Sequence, residues 1–195
     1  MLYIGIDPGE AWCGFAALEF TDAGDVRAEA RTYSVKARRG HIQMAHDIVD
    51  LLPHSKKTEI ACEDFRVRRV GHQAFSAAVP LRFIGALEYG VSKVDAFSFY
   101  LIPPRDPGRD ELKNLFGRPI VAYRKHWPRP SKAAWGHCAS AWRVLGQHLL
   151  NRDPGLLVWL HKRKSHRCNR WLPVLQKSKL NDYVAPAVQW ITPKD

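Results

Sequence analysis

Ile4-Gly5-Ile6-Asp7-Pro8-Gly9 opens the chain as an aliphatic run that stops at a carboxylate and a Pro-Gly turn signal. Two later segments answer it, Ile60-Ala61-Cys62-Glu63-Asp64-Phe65 and His137-Cys138-Ala139-Ser140-Ala141-Trp142-Arg143. Residues 2–6 read as a first strand, 12–20 as a second and 26–35 as a third, and their short connections favour antiparallel pairing. Residues 41–52 carry Ile42, Ala45, Ile48, Val49 and Leu52 at helical spacing, and Pro53 stops that helix. Residues 58–62 read as a short buried strand, parallel to the first through the intervening helix.

Farther along, residues 72–91 predict a long helix interrupted at Pro80, and residues 97–102 a fifth strand. Residues 103–130 are rich in Pro, Gly and Arg and read as a loop. Ser131 is a good N-cap for a helix from 132 to about 151. Ala134, Cys138, Ala141, Leu145 and Leu149 form its apolar stripe, with His137, Ser140, Val144 and His148 on an adjacent face. The expected architecture is α/β: a mixed five-stranded sheet flanked by helices over residues 1–152, then a basic C-terminal extension, 153–195.

The chain has 195 residues, a formal net charge of +11 and a pI of about 9.8. That excess favours polyanionic partners, nucleic acid before anionic membrane. No apolar run reaches the roughly 18 residues of a transmembrane helix, and the start lacks a basic n-region, so a cytoplasmic location is expected. Cys13, Cys62, Cys138 and Cys168 form no C-x-x-C pair and read as reduced thiols, mostly buried. The run from His161 to Trp171 offers one Cys and two His with no second half, so a basic arm on nucleic acid is preferred to a zinc site.

Asp7 and Glu63 end neighbouring parallel strands in this reading. Two carboxylates held side by side repel unless a cation lies between them, and an all-oxygen pair suits Mg²⁺ or Mn²⁺. Taken singly, Asp7 also reads as a turn cap and Glu63 as a solvated strand end. His137 can add an imidazole ligand, or serve as an interhelical hydrogen-bonding histidine. Asp64 follows Glu63 but should point to the opposite face. Arg66, Arg68 and Arg69 lie next to Glu63 in sequence and suit phosphates. Phe65 suits either an unpaired base or the core. Arg38, Arg39, Arg124, Lys125, Arg129 and Lys132 form a candidate second phosphate surface, or scattered solvated charge.

Residues 1–150 resemble the RuvC-type Holliday-junction resolvases, particularly small phage-like members, within the RNase H-like nucleases. The resemblance rests on Ile-Gly-Ile-Asp-Pro-Gly at 4–9, Glu63 after a strand, and His137, Ala141 and Arg143 of a late helix motif His-x-x-Asp-Ala-x-Arg. It implies an RNase H-like fold, a crossover junction endodeoxyribonuclease acting as a homodimer through the central helix around 81–89, and metal held by Asp7, Glu63 and His137. It implies two ions in an intact family site, DNA contacts from Arg143 and the other basic residues, and a bacterial or phage-infected cell as the setting. The departure is Ser140, where the motif carries a metal-binding Asp. A hydroxyl supplies neither charge nor strong coordination, so a weakened enzyme, an engineered inactivation and a non-cleaving branched-DNA binder all remain open. An ATP-using enzyme of the actin and sugar-kinase class also opens with strand, Asp and Gly. That class needs two such domains and a second phosphate loop, and 195 residues lack both.

Overall fold

The aliphatic run at the start becomes strand β1 (Leu2–Pro8), buried along its whole length. The computed structural model describes residues 1–20, 26–35, 40–65, 74–104, 132–156, 172–174, 183–184 and 187–189. β2 (Trp12–Phe20) returns antiparallel to β1, and β3 (Val26–Ser34) antiparallel to β2. Helix α1 (His41–Leu51) then carries the chain to β4 (Thr58–Glu63), which lies parallel to β1. Helix α2 (Ala74–Val91) leads to β5 (Phe97–Ile102), parallel to β4. Helix α3 (Lys132–Arg152) follows. The order β5-β4-β1-β2-β3 is the mixed, RNase H-like arrangement expected from the sequence.

The sheet does not stop at β3. Short strands β6 (Leu172–Val174), β7 (Tyr183–Val184) and β8 (Ala187–Gln189) come from the basic extension. β7 and β8 pair with β3, and β6 pairs with β8, giving eight strands.

The two faces of the sheet are covered differently. Leu2, Ile4 and Ile6 of β1, with Ile60 and Cys62 of β4, bury against Met44, Ala45 and Ile48 of α1 and Phe83 and Leu87 of α2. Pro80 lies inside α2, which runs through it unbroken from Ala74. Proline forfeits one hydrogen bond to the carbonyl four residues earlier. The burial of Phe83, Ile84, Leu87 and Val91 just beyond it offsets that loss.

The opposite face is covered by α3 alone among the described helices, with glycine at its closest contacts. A Cβ added at Gly5 would strike the Ala141 carbonyl and Leu145, and one at Gly14 would strike the His137 carbonyl. Glycine at both positions therefore lets the helix backbone rest on β1 and β2. Cys138, Ala141, Leu145 and Leu149 are buried there, as expected, together with Val144 and His148 from the neighbouring face.

Overpacking a closed contact costs about 1–3 kcal/mol. Gly5→Ala and Gly14→Ala should each lower the urea-unfolding free energy by about 2 kcal/mol or more. Gly136→Ala is the contrast, since its position in the same helix opens on free space. It should raise stability by up to about 1 kcal/mol. Tolerance of alanine at Gly14 would contradict this account of the helix–sheet contact.

Candidate functional site

Side chains alternate across a strand, so residues two apart share a face. Tyr3, Gly5 and Asp7 of β1 face α3, as do Glu59 and Ala61 of β4, and Glu63 follows in the same alternation. β1 and β4 pair as far as Ile6↔Cys62. One step on, Asp7 and Glu63 stand on adjacent strands about 4.8 Å apart along the hydrogen-bonding direction. The pairing of strand ends read from the sequence is thus present in the register.

α3 runs antiparallel to β1 and β4. His148 meets Glu59, Val144 packs with Ala61 and Ile102, and His137 meets Asp7. Ser140, one turn before Val144, therefore lies over the end of β4 where Glu63 stands.

Asp7 is 7% exposed, and its Oδ2 lies 2.7 Å from His137 Nδ1. A carboxylate can only accept, so Nδ1 donates. The ring lies over Gly9, where a Cβ would come 2.7 Å from Nε2. From the other side, His41 Nε2 lies 3.2 Å from the Gly9 carbonyl, and Val35 donates its N–H to Ala11 at 3.0 Å. The turn after Asp7 is thus tied to the start of α1 and the end of β3.

Ser140 Oγ accepts a hydrogen bond from Arg143 Nη2 at 2.7 Å. The position that the sequence marks as anomalous carries a neutral hydroxyl engaged by a guanidinium.

Two carboxylates and an imidazole suit one hard divalent cation. Arg143 brings positive charge to position 140. Among the described residues no three His, Cys, Asp or Glu side chains stand close enough together to hold an ion as they lie. Asp7 and His137 touch directly, while Glu63 is beside them by register.

The remaining sequence candidates are distributed as follows. Phe65 is half-buried and packs against the α1–α2 side of the core. The Asp64 backbone N–H donates to Ile102 at 2.7 Å and ties the end of β4 to β5. Lys132 is the first residue of α3. Arg66, Arg68, Arg69, Arg38, Arg39, Arg124, Lys125 and Arg129 lie outside the described residues, as do Ser131 and the run from His161 to Trp171. Cys13, Cys62 and Cys138 are buried free thiols. Burial pushes all three up, Cys138 to about 12 despite a hydrogen bond with Thr32.

The sequence reading missed a second acid–histidine pair on the same face. Glu59 Oε2 lies 2.8 Å from His148 Nε2, with the residues 6% and 2% exposed. Arg152 Nε is 3.8 Å from the other Glu59 oxygen, and its guanidinium lies 5.6 Å over the Tyr100 ring. The rings of Tyr100 and Tyr3 flank His148 at 4.7 and 6.5 Å. The usable signal was the alternation Glu59, Ala61, Glu63, which places Glu59 on the face of the candidate site.

No protein-family model matches the chain, and no curated protein sequence matches it. Solved structures similar to it include Thermus thermophilus RuvC in complex with a Holliday junction substrate, at 18% identity and a TM-score of 0.49. A structure of Thermus thermophilus RuvC is similar at 19% identity and a TM-score of 0.48. Each comparison covers 80% of this chain and 97% of the other. At these values the likeness carries no functional argument, and function has to be read from the chain's own side chains.

Burial holds the His148 imidazole below its ordinary range, outweighing the hydrogen bond with Glu59 that raises it. A depressed folded-state value means that the folded protein resists protonation while the unfolded chain accepts it. The resulting stability is complete above about pH 6.5 and is lost as pH falls through the folded His148 value. Urea unfolding between pH 7.5 and 5 should show a decline of up to about 1.4 kcal/mol per pH unit that His148→Gln removes. Identical slopes in the two proteins would contradict the buried neutral imidazole.

Proposed function

We propose that the chain is a metal-dependent endodeoxyribonuclease for branched DNA, four-way junctions included, working around one divalent cation. The observation that carries this reading is the Asp7–His137 hydrogen bond at the end of β1, with Glu63 on the next strand end. Asp7 and Glu63 would hold Mg²⁺ or Mn²⁺, and His137, whose Nδ1 faces Asp7, would be the third donor. Such an ion supplies a Lewis acid for a phosphodiester oxygen and eases the ionisation of water. Gly9 leaves room for the ring. Ser140 in place of a carboxylate makes this a slow enzyme.

Charge supports the nucleic-acid partner. The chain carries a net +11. Arg66, Arg68 and Arg69 follow Glu63 closely in sequence. Lys132 and Arg143 belong to the helix that bears His137. The extension 153–195 would add a basic arm. Phosphate contacts of this kind read charge and shape and require little sequence preference.

A second reading is a branched-DNA binder that does not cut. It is favoured by the Arg143–Ser140 hydrogen bond, which places a cation where another acidic ligand would be wanted. Cleavage of a labelled synthetic four-way junction in Mg²⁺ and then Mn²⁺ separates the two. The enzyme reading expects slow cutting that Asp7→Asn abolishes and Ser140→Asp speeds by about tenfold or more, an effect of ~1.4 kcal/mol. Tight junction binding without cutting by the unaltered chain would favour the binder. Equal affinity for junction and linear duplex would defeat both readings.

We further propose a homodimer through α2. Leu81 and Tyr89 are 43% and 61% exposed, and Gly85 between them opens on free space. Leu81, Gly85 and Tyr89 recur at four-residue steps, so they share one helix face. Light scattering should give twice the chain mass of 22.2 kDa, and Leu81→Asp with Tyr89→Lys should give a folded monomer. A monomeric unaltered chain at high concentration would refute this arrangement.

A further inference from the structure

The Glu59–His148 pair takes no part in the chemistry proposed for Asp7, Glu63 and His137. We propose that it sets the axial position of α3 on the sheet and thereby holds His137 against Asp7. Glu59 and His148 are then positioning residues, a role whose catalytic consequence rests on the reading of the site given above.

The first support is the spacing of two pins on one helix. His137 and His148 lie eleven residues apart on α3, about 16 Å at the helical rise. Glu59 pairs with Tyr3, which is four residues before Asp7 on β1. That is roughly 13 Å along the strand, with a sideways step of about 4.8 Å to β4. The two spans nearly match, and side-chain reach closes the difference. Both contacts are made at hydrogen-bond length, 2.7 Å at His137 and 2.8 Å at His148.

The second support is what lies between the pins. Gly5 and Gly14 set how deeply the helix sits, because they remove the side chains that would lift it. A slide of one turn would move the helix by about 5.4 Å along the sheet. The same slide would break the 2.8 Å Glu59–His148 hydrogen bond where Glu59 is 6% exposed, leaving Arg152, now 3.8 Å away, as its remaining named partner. Breaking a buried pair is costly, and fixing register is the best-attested use of such pairs.

The third support is the difference in solvent exposure. The His137 side chain is 29% exposed and that of Asp7 10%, against 3% and 8% for His148 and Glu59. Water can replace a bond at the site more readily than one at the far end. Tyr3, Tyr100 and Arg152 close around the far pair. The firmer pin is therefore remote from the site.

The test uses Glu59→Leu/His148→Leu, which removes the pair while keeping the space filled with apolar atoms. Protein labelled with ¹⁵N-histidine reports the His137 Nδ1–H proton, assigned by its loss in His137→Asn. The inference expects the double variant to remain folded, to lose or broaden that signal, and to cut the four-way junction about tenfold more slowly with unchanged junction affinity. Glu59→Gln, which keeps an acceptor toward His148, should retain signal and rate. His148→Phe is the second disrupting variant and should reproduce the loss of signal. A His137 signal unchanged in both disrupting variants would overturn the inference. If the unaltered chain never cuts, the function proposed above fails, while the histidine signal still decides the positioning role.

Discussion

Everything on the functional face depends on how closely α3 lies against β1 and β2. The glycines at 5 and 14 allow backbone to meet side chain and carbonyl with nothing between. That depth brings His137 within reach of a carboxylate that β1 itself has buried. It also encloses Glu59, His148 and the Tyr100 ring between helix and sheet. β1 is buried on both faces, so its position is fixed by the α1–α2 core before α3 adds anything. The site is thus built at the end of the most constrained strand of the protein. A side chain there loses little freedom when it acts, because packing has already removed most of it.

The electrostatics then decide what this face can hold. Asp7 and Glu63 gather negative charge at one end of the sheet, against a chain whose overall charge is strongly positive. Arg143 is held on Ser140, on the β4 side of the helix, and His137 is held on Asp7. In the function proposed above, one ion would enter between the acids, and the Arg143 guanidinium beside Ser140 would favour a phosphate over a second metal ion.

Much of this was legible in the sequence, and the rest had physical reasons to stay hidden. The five main strands were readable because aliphatic runs end in Pro, Gly and carboxylate signals. The approach of Asp7 to Glu63 followed from the strand–helix–strand connection. Pro80 was misleading, since a local rule for helix breaking was overridden by burial of the residues after it. Strands β6 to β8 are two or three residues long, too short to show a period. Glu59 and His148 stand 89 positions apart, and no local pattern announces a buried pair across that distance. Gly14 looked like an ordinary strand residue, because its role appears only when the helix is laid across it.

The central claim is that the end of β1, the end of β4 and one turn of α3 make a site for one divalent cation. Crystals of the protein grown with Mn²⁺ and measured for anomalous scattering test it most directly. The account requires one manganese peak ligated by Asp7, Glu63 and His137, with Ser140 still bonded to Arg143. Two peaks of equal strength, or none at saturating Mn²⁺, would contradict it.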